Sequence, residues 1–206
     1  MWIELVLAAA VAQSGDEPRH QMTILVREST PFGRLFRSSV PLPEVEWRDA
    51  YPMGFGGGLE YRGTFPYYHG RAGFYASLMV DVYASDSDFS GLGSDVELDP
   101  MVTMTLTGGP TYELDLGKGF FWSGRAGVGL AAYAPVDLRA PGGSTEFFDA
   151  SVAVALEGGT RLGWGNRSVT LEVGVGWRYQ GGPSLDHRSY HSLSALTIDV
   201  GVGLRF

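Results

Sequence analysis

A histidine and a serine lie two residues apart in a polar stretch of the chain, where they could form a nucleophile and its base. His187 and Ser189 make a His-x-Ser pair, and a histidine that accepts the hydroxyl proton activates serine for attack on an ester. The carboxylate that should orient the histidine does not follow at a suitable place, because the one downstream acid, Asp199, falls within a strand pattern. We interpret the stretch as a hydrophilic loop and keep a serine hydrolase as an alternative.

Spaced carboxylates form a second candidate, at Asp86, Asp88 and Asp95. Oxygen ligands of this kind bind Ca²⁺, but an EF-hand loop also needs a glycine at its sixth position and a final glutamate. The stretch is therefore predicted to be a solvated loop. Cysteine is absent, and no phosphate-binding loop, HExxH or GxSxG occurs. We accordingly predict no metal, no cofactor and no enzymatic activity.

A third set consists of charged residues that alternate with glycine and small polar residues on one side of the expected strands. Its members are Glu60, Arg62, Arg71, Asp81, Arg125, Glu157, Arg161, Glu172, Arg178, Asp199 and Arg205. These side chains could line a path for ions or solutes, or form a salt-bridged plug. We predict the plug, because a small barrel is just wide enough for side chains and buried charges persist when they are paired. The pairing itself stays open.

Apolar and other residues alternate with a period of two in the segments that must position these charges. In the last segment, Leu196, Ile198, Val200, Val202, Leu204 and Phe206 share one face. The same pattern predicts strands at 53–62, 73–82, 120–132, 148–157 and 169–179 and in the less regular segment 96–116. Pro110 predicts a bulge or break there. A first strand is expected near residues 22–26, which makes about eight.

Connection lengths also alternate along the chain. The predicted connections at 64–70, 117–119 and 163–167 are short, and those at 38–49, 85–95, 134–146 and 180–191 are longer and polar. This order is typical of an outer-membrane barrel, which has short periplasmic turns and longer extracellular loops. The sequence therefore favours an all-β, antiparallel up-and-down transmembrane β-barrel.

The character of the two strand faces indicates which one contacts lipid. The apolar face carries almost no charge, as hydrocarbon requires, whereas glycine and paired charges suit a narrow interior. Aromatic residues near the strand ends predict two interfacial girdles. The girdle expected at the periplasmic ends of the strands comprises Phe65, Tyr67, Tyr68, Phe120, Trp122, Trp164 and Phe206, and the one expected at the outer ends comprises Tyr51, Tyr133, Phe147, Phe148, Trp177 and Tyr179.

The N-terminal residues and the overall charge bear on location and partners. Residues 5–12 form an apolar run that ends in Ala10-Val11-Ala12, an A-x-A-type cleavage site. A cleaved signal at 1–12 and a single barrel domain at 13–206 are predicted, although the leader lacks the usual Lys or Arg. A net charge of −8 and the absence of a basic cluster argue against nucleic acid as a partner.

The chain resembles the small eight-stranded outer-membrane barrels of the OmpA-, OmpX- and OmpW-like superfamily. The resemblance depends on the final strand with its terminal Phe206, the Gly-Lys-Gly turn followed by two phenylalanines and a tryptophan, and the 127–130 segment Gly-Val-Gly-Leu. It implies a bacterial outer-membrane location, contact with outer-membrane lipid and lipopolysaccharide, and recognition of Phe206 by the barrel-assembly machinery. Some small barrels of this membrane are lipid A deacylases with a His-x-Ser pair, which is the hydrolase implied by His187 and Ser189.

These observations predict a structural or interaction protein with a largely plugged lumen and a possible ligand at its extracellular loops. A narrow channel, or a carrier for small or lipophilic solutes, is the alternative.

Overall fold

The computed structural model describes residues 19–35, 46–86, 97–140, 142–185, 188–189 and 191–206. The described elements, in chain order, are β1 Arg19–Phe32, α1 Trp47–Ala50, β2 Met53–Tyr67, β3 Gly70–Ala84, β4 Glu97–Leu98, β5 Met101–Gly117, β6 Phe120–Tyr133, β7 Val136–Ala140, β8 Gly143–Phe148, β9 Ser151–Gly165, β10 Val169–Gln180, β11 Ser184–Leu185, β12 Arg188–Ser189 and β13 Leu193–Arg205. The predicted leader lies outside the described residues. Among the residues described, no helix is long and apolar enough to cross a membrane.

Eight antiparallel strands close into one barrel in the order β1-β13-β10-β9-β6-β5-β3-β2. The first strand, expected at residues 22–26, extends over the whole of β1. It pairs with β13 in an unbroken register from Gln21 opposite Arg205 to Phe32 opposite Ser194. Every barrel strand therefore has two neighbours, and no strand edge is left with unsatisfied backbone groups in hydrocarbon. The predicted fold class is confirmed.

The two ends of the barrel differ in the length of their connections. At one end, called the turn end, β2 and β3 are joined by Tyr68 and His69, β5 and β6 by Lys118 and Gly119, and β9 and β10 by residues 166–168. Lys118 and Gly119 have φ values of 54° and 82°, the left-handed geometry of a tight hairpin. The other end, called the loop end, has the longer connections with α1, β11–β12 and the three-stranded sheet of β4, β7 and β8. The predicted alternation of short and long connections is confirmed.

Large apolar side chains cover the outside of the barrel. Ile24, Leu130, Val173 and Ile198 are each at least half exposed, whereas their neighbours along each strand face inward. Such a surface would aggregate in water, but it matches the hydrocarbon of a bilayer. Glu28 is an exception on the outward face, between its Cα partners Phe55 and Ile198.

Two local predictions hold only in part. Pro110 lies opposite Phe74 without a register shift, but toward β6 the pairing is interrupted at Gly109 and Pro110, between Gly108 opposite Val128 and Thr111 opposite Arg125. The register shift between β5 and β6 falls further along, between Asp115 and Gly117. A proline removes one ladder hydrogen bond but adds no residue, so the flanking bonds keep the register. The strand expected from Phe148 begins instead at Ser151, because Phe148 ends β8 and Asp149 forms an isolated bridge with Ser184.

Candidate functional site

Among the described residues, the charged side chains that are buried on the inner face of the barrel are equally divided between acidic and basic. Six carboxylates, those of Glu60, Asp81, Glu113, Glu157, Glu172 and Asp199, are buried. Six guanidinium groups, those of Arg27, Arg62, Arg125, Arg161, Arg178 and Arg205, have side chains no more than 9 % exposed. Their formal charges cancel, as burial in a region of low dielectric demands.

Asp199 is the centre of this arrangement at mid-barrel. Its Oδ1 accepts a hydrogen bond from Arg27 Nε at 2.5 Å, and its Oδ2 accepts a second from Arg27 Nη2 at 3.2 Å. Arg125 Nη2 and Arg161 Nη2 donate to the same Oδ2 at 3.2 and 3.1 Å. Charge-assisted and bidentate bonds of this kind are among the strongest that side chains form, so Asp199 ties together three strands besides its own.

Glu60 and Glu172 form the next level toward the turn end. Glu60 accepts from Arg161 Nη1 at 2.7 Å and from Arg62 Nη2 at 3.1 Å, and it also contacts Arg125. Glu172 accepts from Arg62 Nη2 at 2.8 Å and lies 3.6 Å from Arg161 Nη1. Because Arg62 and Arg161 each bridge both carboxylates, the two acids belong to one connected network.

The network continues to both ends of the strands. Toward the loop end, Arg178 pairs with Asp81, and its Nε lies 4.0 Å from Glu157. Toward the turn end, Glu113 lies 3.5 Å from Arg62 and 3.4 Å from Arg205, and it also pairs with the half-exposed Arg19 at 2.7 Å. We call the connected set, from Asp81 through Asp199 and Glu60 to Glu113 with their arginines, the ion ladder.

The structure places every predicted lumen residue except Arg71 in the ion ladder. Arg71 is closer to the turn end, where it donates to the hydroxyl and the carbonyl of Thr64. Arg27 and Glu113 were missed. The same alternation could have identified both, since Arg27 shares the inward parity of Gln21 and Thr23, and Glu113 opposes the apolar parity of β5.

Two glycines make room for the ladder. A Cβ placed on Gly56 would contact the Asp81 carboxylate, and one placed on Gly174 would contact the Arg161 side chain and the carbonyl oxygen of Thr160. Any larger residue at either position would displace a charged group from its partners. Here the high glycine content of the polar face provides space for longer side chains from neighbouring strands.

An apolar cluster covers the ladder at the loop end. We call it the cap; it comprises Leu35, Trp47, Ala50, Tyr51, Tyr83, Leu98, Met101, Ala131, Tyr133, Val136, Phe147, Phe148, Ala155 and Leu193. Trp47 Nε1 donates to the Ser192 carbonyl at 3.2 Å, and the Tyr133 hydroxyl donates to that of Gly181 at 2.8 Å. The polar atoms of the Trp47 and Tyr133 rings are thus satisfied by backbone carbonyl groups at the barrel mouth.

The cap corrects the predicted outer girdle. Tyr51, Tyr133, Phe147 and Phe148 were expected to face lipid, but all four are buried in the cap. The described segments of the loops, such as α1 and β8, fold back over the barrel mouth, so an aromatic residue near a strand end can turn inward as well as outward. Trp177 remains on the lipid-facing side, where it is 40 % exposed.

The other candidate sites fall largely outside the described residues. His187 is not described, and neither are Asp88 and Asp95, while Ser189 lies in β12. Within the ranges that are described, no three His, Asp or Glu residues lie close enough together to hold a metal ion. The arrangement that the described residues do form is a network of paired charges, which can fill and brace a lumen.

Comparison with known proteins gives relatives at the level of structure. No family model matches the sequence, and no curated protein matches it. Ail, the attachment invasion locus protein of Yersinia pestis, shares 16 % identity with a TM-score of 0.54, over 93 % of this chain and all of its own. The outer membrane enzyme PagL shares 13 % identity with a TM-score of 0.55, over 87 % of this chain and 97 % of its own. A major outer membrane protein of Thermus thermophilus shares 15 % identity with a TM-score of 0.50, over 90 % of this chain and 99 % of its own.

These likenesses concern the whole barrel, and the apolar exterior described above agrees with them. An apolar belt around a closed antiparallel barrel is compatible with a lipid bilayer and with no aqueous compartment. The chain is an all-β transmembrane barrel with the fold of the small eight-stranded outer-membrane proteins of bacteria.

Proposed function

We propose that this protein is a non-conducting barrel of the outer membrane with a structural or interaction role, whose lumen is closed by the ion ladder and the cap. The observation that carries the proposal is the continuity of the ladder. Its contacts run from Asp81 near the loop end to Glu113 near the turn end, and each shared arginine joins two levels. An ion entering the lumen would have to displace side chains that already neutralise one another.

The cap supports the same role from the outside. Trp47 and Phe148 are fully buried, so the described segments of the loop-end connections pack on the barrel mouth. Loops held in this way present a defined surface to the cell exterior, which suits binding of a partner or of lipopolysaccharide. Ail and PagL share this fold but differ in what their names describe, one an attachment invasion locus protein and the other an outer membrane enzyme. The shared fold therefore does not fix a role, and for this chain we assign the role to its loops and lumen.

Single-channel recording in planar bilayers tests the proposal. Vesicles that contain the refolded protein are fused with the bilayer at increasing protein concentration. Folding of the protein in the same vesicles is verified by a heat-modifiable band on denaturing gels. We expect no steady current. A reproducible steady conductance from the wild type would overturn the closed lumen and favour the narrow-channel alternative.

A variant of the cap tests whether the cap or the ion ladder closes the lumen. Trp47→Ala removes a buried anchor of the cap but leaves every ladder residue in place. We expect faster proteolysis of the loop-end connections and still no current, because the ladder remains. A steady current from Trp47→Ala alone would mean that the cap, and not the ladder, closes the lumen.

The hydrolase stays a prediction from the His187 and Ser189 pair. Its test is the acylation state of lipid A in cells that express the wild type or the Ser189→Ala variant. Removal of an acyl chain by the wild type, lost in the variant, would establish the enzyme. Unchanged lipid A in both would eliminate this activity.

A further inference from the structure

Two neighbouring turns at the turn end each carry an exposed cation. The Gly165 N–H donates to the Gly119 carbonyl at 3.0 Å, so the turn containing Lys118 and the turn containing Arg167 lie side by side. Both side chains are exposed. We call Lys118 and Arg167 the basic turn pair.

An aromatic and apolar surface lies directly beside this pair on the outward face. Phe120 and Trp164 are Cα partners across β6 and β9, and each is 53 % exposed. A Cβ on Gly119 would lie 3.7 Å from Trp164 Nε1, which places the indole N–H at the level of the turns. Leu116 is also exposed on this side, and Trp122 is partly so. From the turns toward the middle of the membrane, the outward face therefore presents first the cations, then the indole N–H, and then apolar side chains.

The other arginines of the described turn end are directed elsewhere. Arg19 and Arg205 pair with Glu113 inside the barrel, and Arg71 donates to Thr64. Asp115 lies on the strand that leads into the Lys118 turn, and its Oδ1 accepts the Gly117 N–H at 2.7 Å. Outward positive charge at this end is thus concentrated on the basic turn pair, with one acid engaged by the backbone of the same turn.

We propose that the basic turn pair and the surface of Phe120 and Trp164 bind an anionic phospholipid of the leaflet at the turn end. Lys118 and Arg167 complement a headgroup with net negative charge, the indole N–H can donate to a phosphate or ester oxygen, and the acyl chains pack on Phe120 and Leu116. Anionic headgroups attract basic residues near a membrane surface, and amphipathic tryptophan prefers the same depth. The inference depends on the transmembrane fold and not on the closed lumen.

Native mass spectrometry of the folded barrel in a neutral detergent tests this inference. Phosphatidylglycerol and phosphatidylcholine with identical acyl chains are added separately at equal concentrations. We expect phosphatidylglycerol adducts to dominate, and Lys118→Asn/Arg167→Gln to weaken them by about fivefold for each cation removed. Asparagine at position 118 keeps the left-handed turn, since this residue tolerates positive φ.

A matched variant removes the same charge at the opposite end. Arg48 and Arg139 are exposed and pair with Glu46 and Asp99, so Arg48→Gln/Arg139→Gln should keep the wild-type preference for phosphatidylglycerol. Equal binding of both lipids by the wild type would overturn the proposal. So would equal loss in the two double variants, or a dimer of the chain that forms in place of lipid adducts.

Discussion

Arg27 and Asp199 are Cα partners on the first and last strands of the barrel, and their side chains form a bidentate ion pair across that seam. The pair joins β1 to β13, the two strands whose pairing closes the barrel. Backbone pairing alone would allow β1 and β13 to slip relative to one another, but a slip of one residue would turn the charge on the slipped strand outward into lipid and leave its partner unpaired inside. The ion pair therefore helps to set the register of closure.

Removing the charge of Asp199 should destabilise the barrel strongly. Asp199→Asn leaves Arg27, Arg125 and Arg161 without their shared carboxylate, and an uncompensated buried charge costs about 3–5 kcal/mol. Urea unfolding of the barrel in detergent, followed by the heat-modifiable band, measures the loss. Asp99→Asn is the control, because its ion pair with Arg139 is exposed and should contribute less than about 1 kcal/mol. Equal losses in the two variants would contradict a central role for Asp199.

The pair of Arg178 and Asp81 should show strong coupling in a double-mutant cycle. Either Arg178→Met or Asp81→Leu alone leaves a buried charge without its direct partner, whereas the double variant removes both. We expect the double variant to be more stable than at least one of the single variants, with a coupling of about 1–3 kcal/mol. If the losses of unfolding free energy in the two single variants sum to the loss in the double variant within about 0.5 kcal/mol, the two side chains do not act as a pair.

Gly174→Ala tests whether glycine makes room for the ladder. The new methyl group would lie 2.6 Å from the Thr160 carbonyl oxygen and against the Arg161 side chain, and such overpacking costs about 1–3 kcal/mol. A methyl group added to Gly142 would have no neighbouring atom within 4 Å, so Gly142→Ala should change the free energy of unfolding by less than about 0.5 kcal/mol. An unchanged stability for Gly174→Ala would argue against the proposed packing.

Phe206→Ala should affect assembly more than stability. The Phe206 ring is 72 % exposed, and its ring contact with His20 has a centroid distance of 6.0 Å, so its loss removes little packing. If the terminal aromatic residue is recognised during assembly, the folded fraction in cells should fall while unfolding of the refolded protein stays nearly unchanged. Leu204→Ala, on the same lipid-facing side of β13, should leave the folded fraction in cells closer to that of the wild type. A parallel fall in stability and folded fraction would contradict a separate assembly role.

Much of the fold could be predicted because the period-two pattern is local. Leu196 to Phe206 alternate without a break, and the same parity places Asp199 and Glu172 inside. The weak point was β1, because the expected strand ended at residue 26, just before the adjacent charged residues Arg27 and Glu28. Arg27 was missed for that reason, although it proved to be the closest partner of Asp199.

The sequence by itself determined the faces of the strands, the antiparallel barrel and the residues that point inward, because each depends on residue type at a fixed spacing. Only the tertiary structure decided which charges pair, since Arg62 meets Glu172 from a strand 110 residues away. It also decided the fate of the loop-end aromatics, which the loops bury together with Trp47 in the cap. The alternation of residue types determines whether a side chain of a strand faces inward or outward. The partner of that side chain depends on which distant strands and loops lie next to it. The ion pair of Arg27 and Asp199 depends on both sequence and tertiary structure. Their positions in the alternation turn each side chain inward, and closure of the barrel then brings the two together.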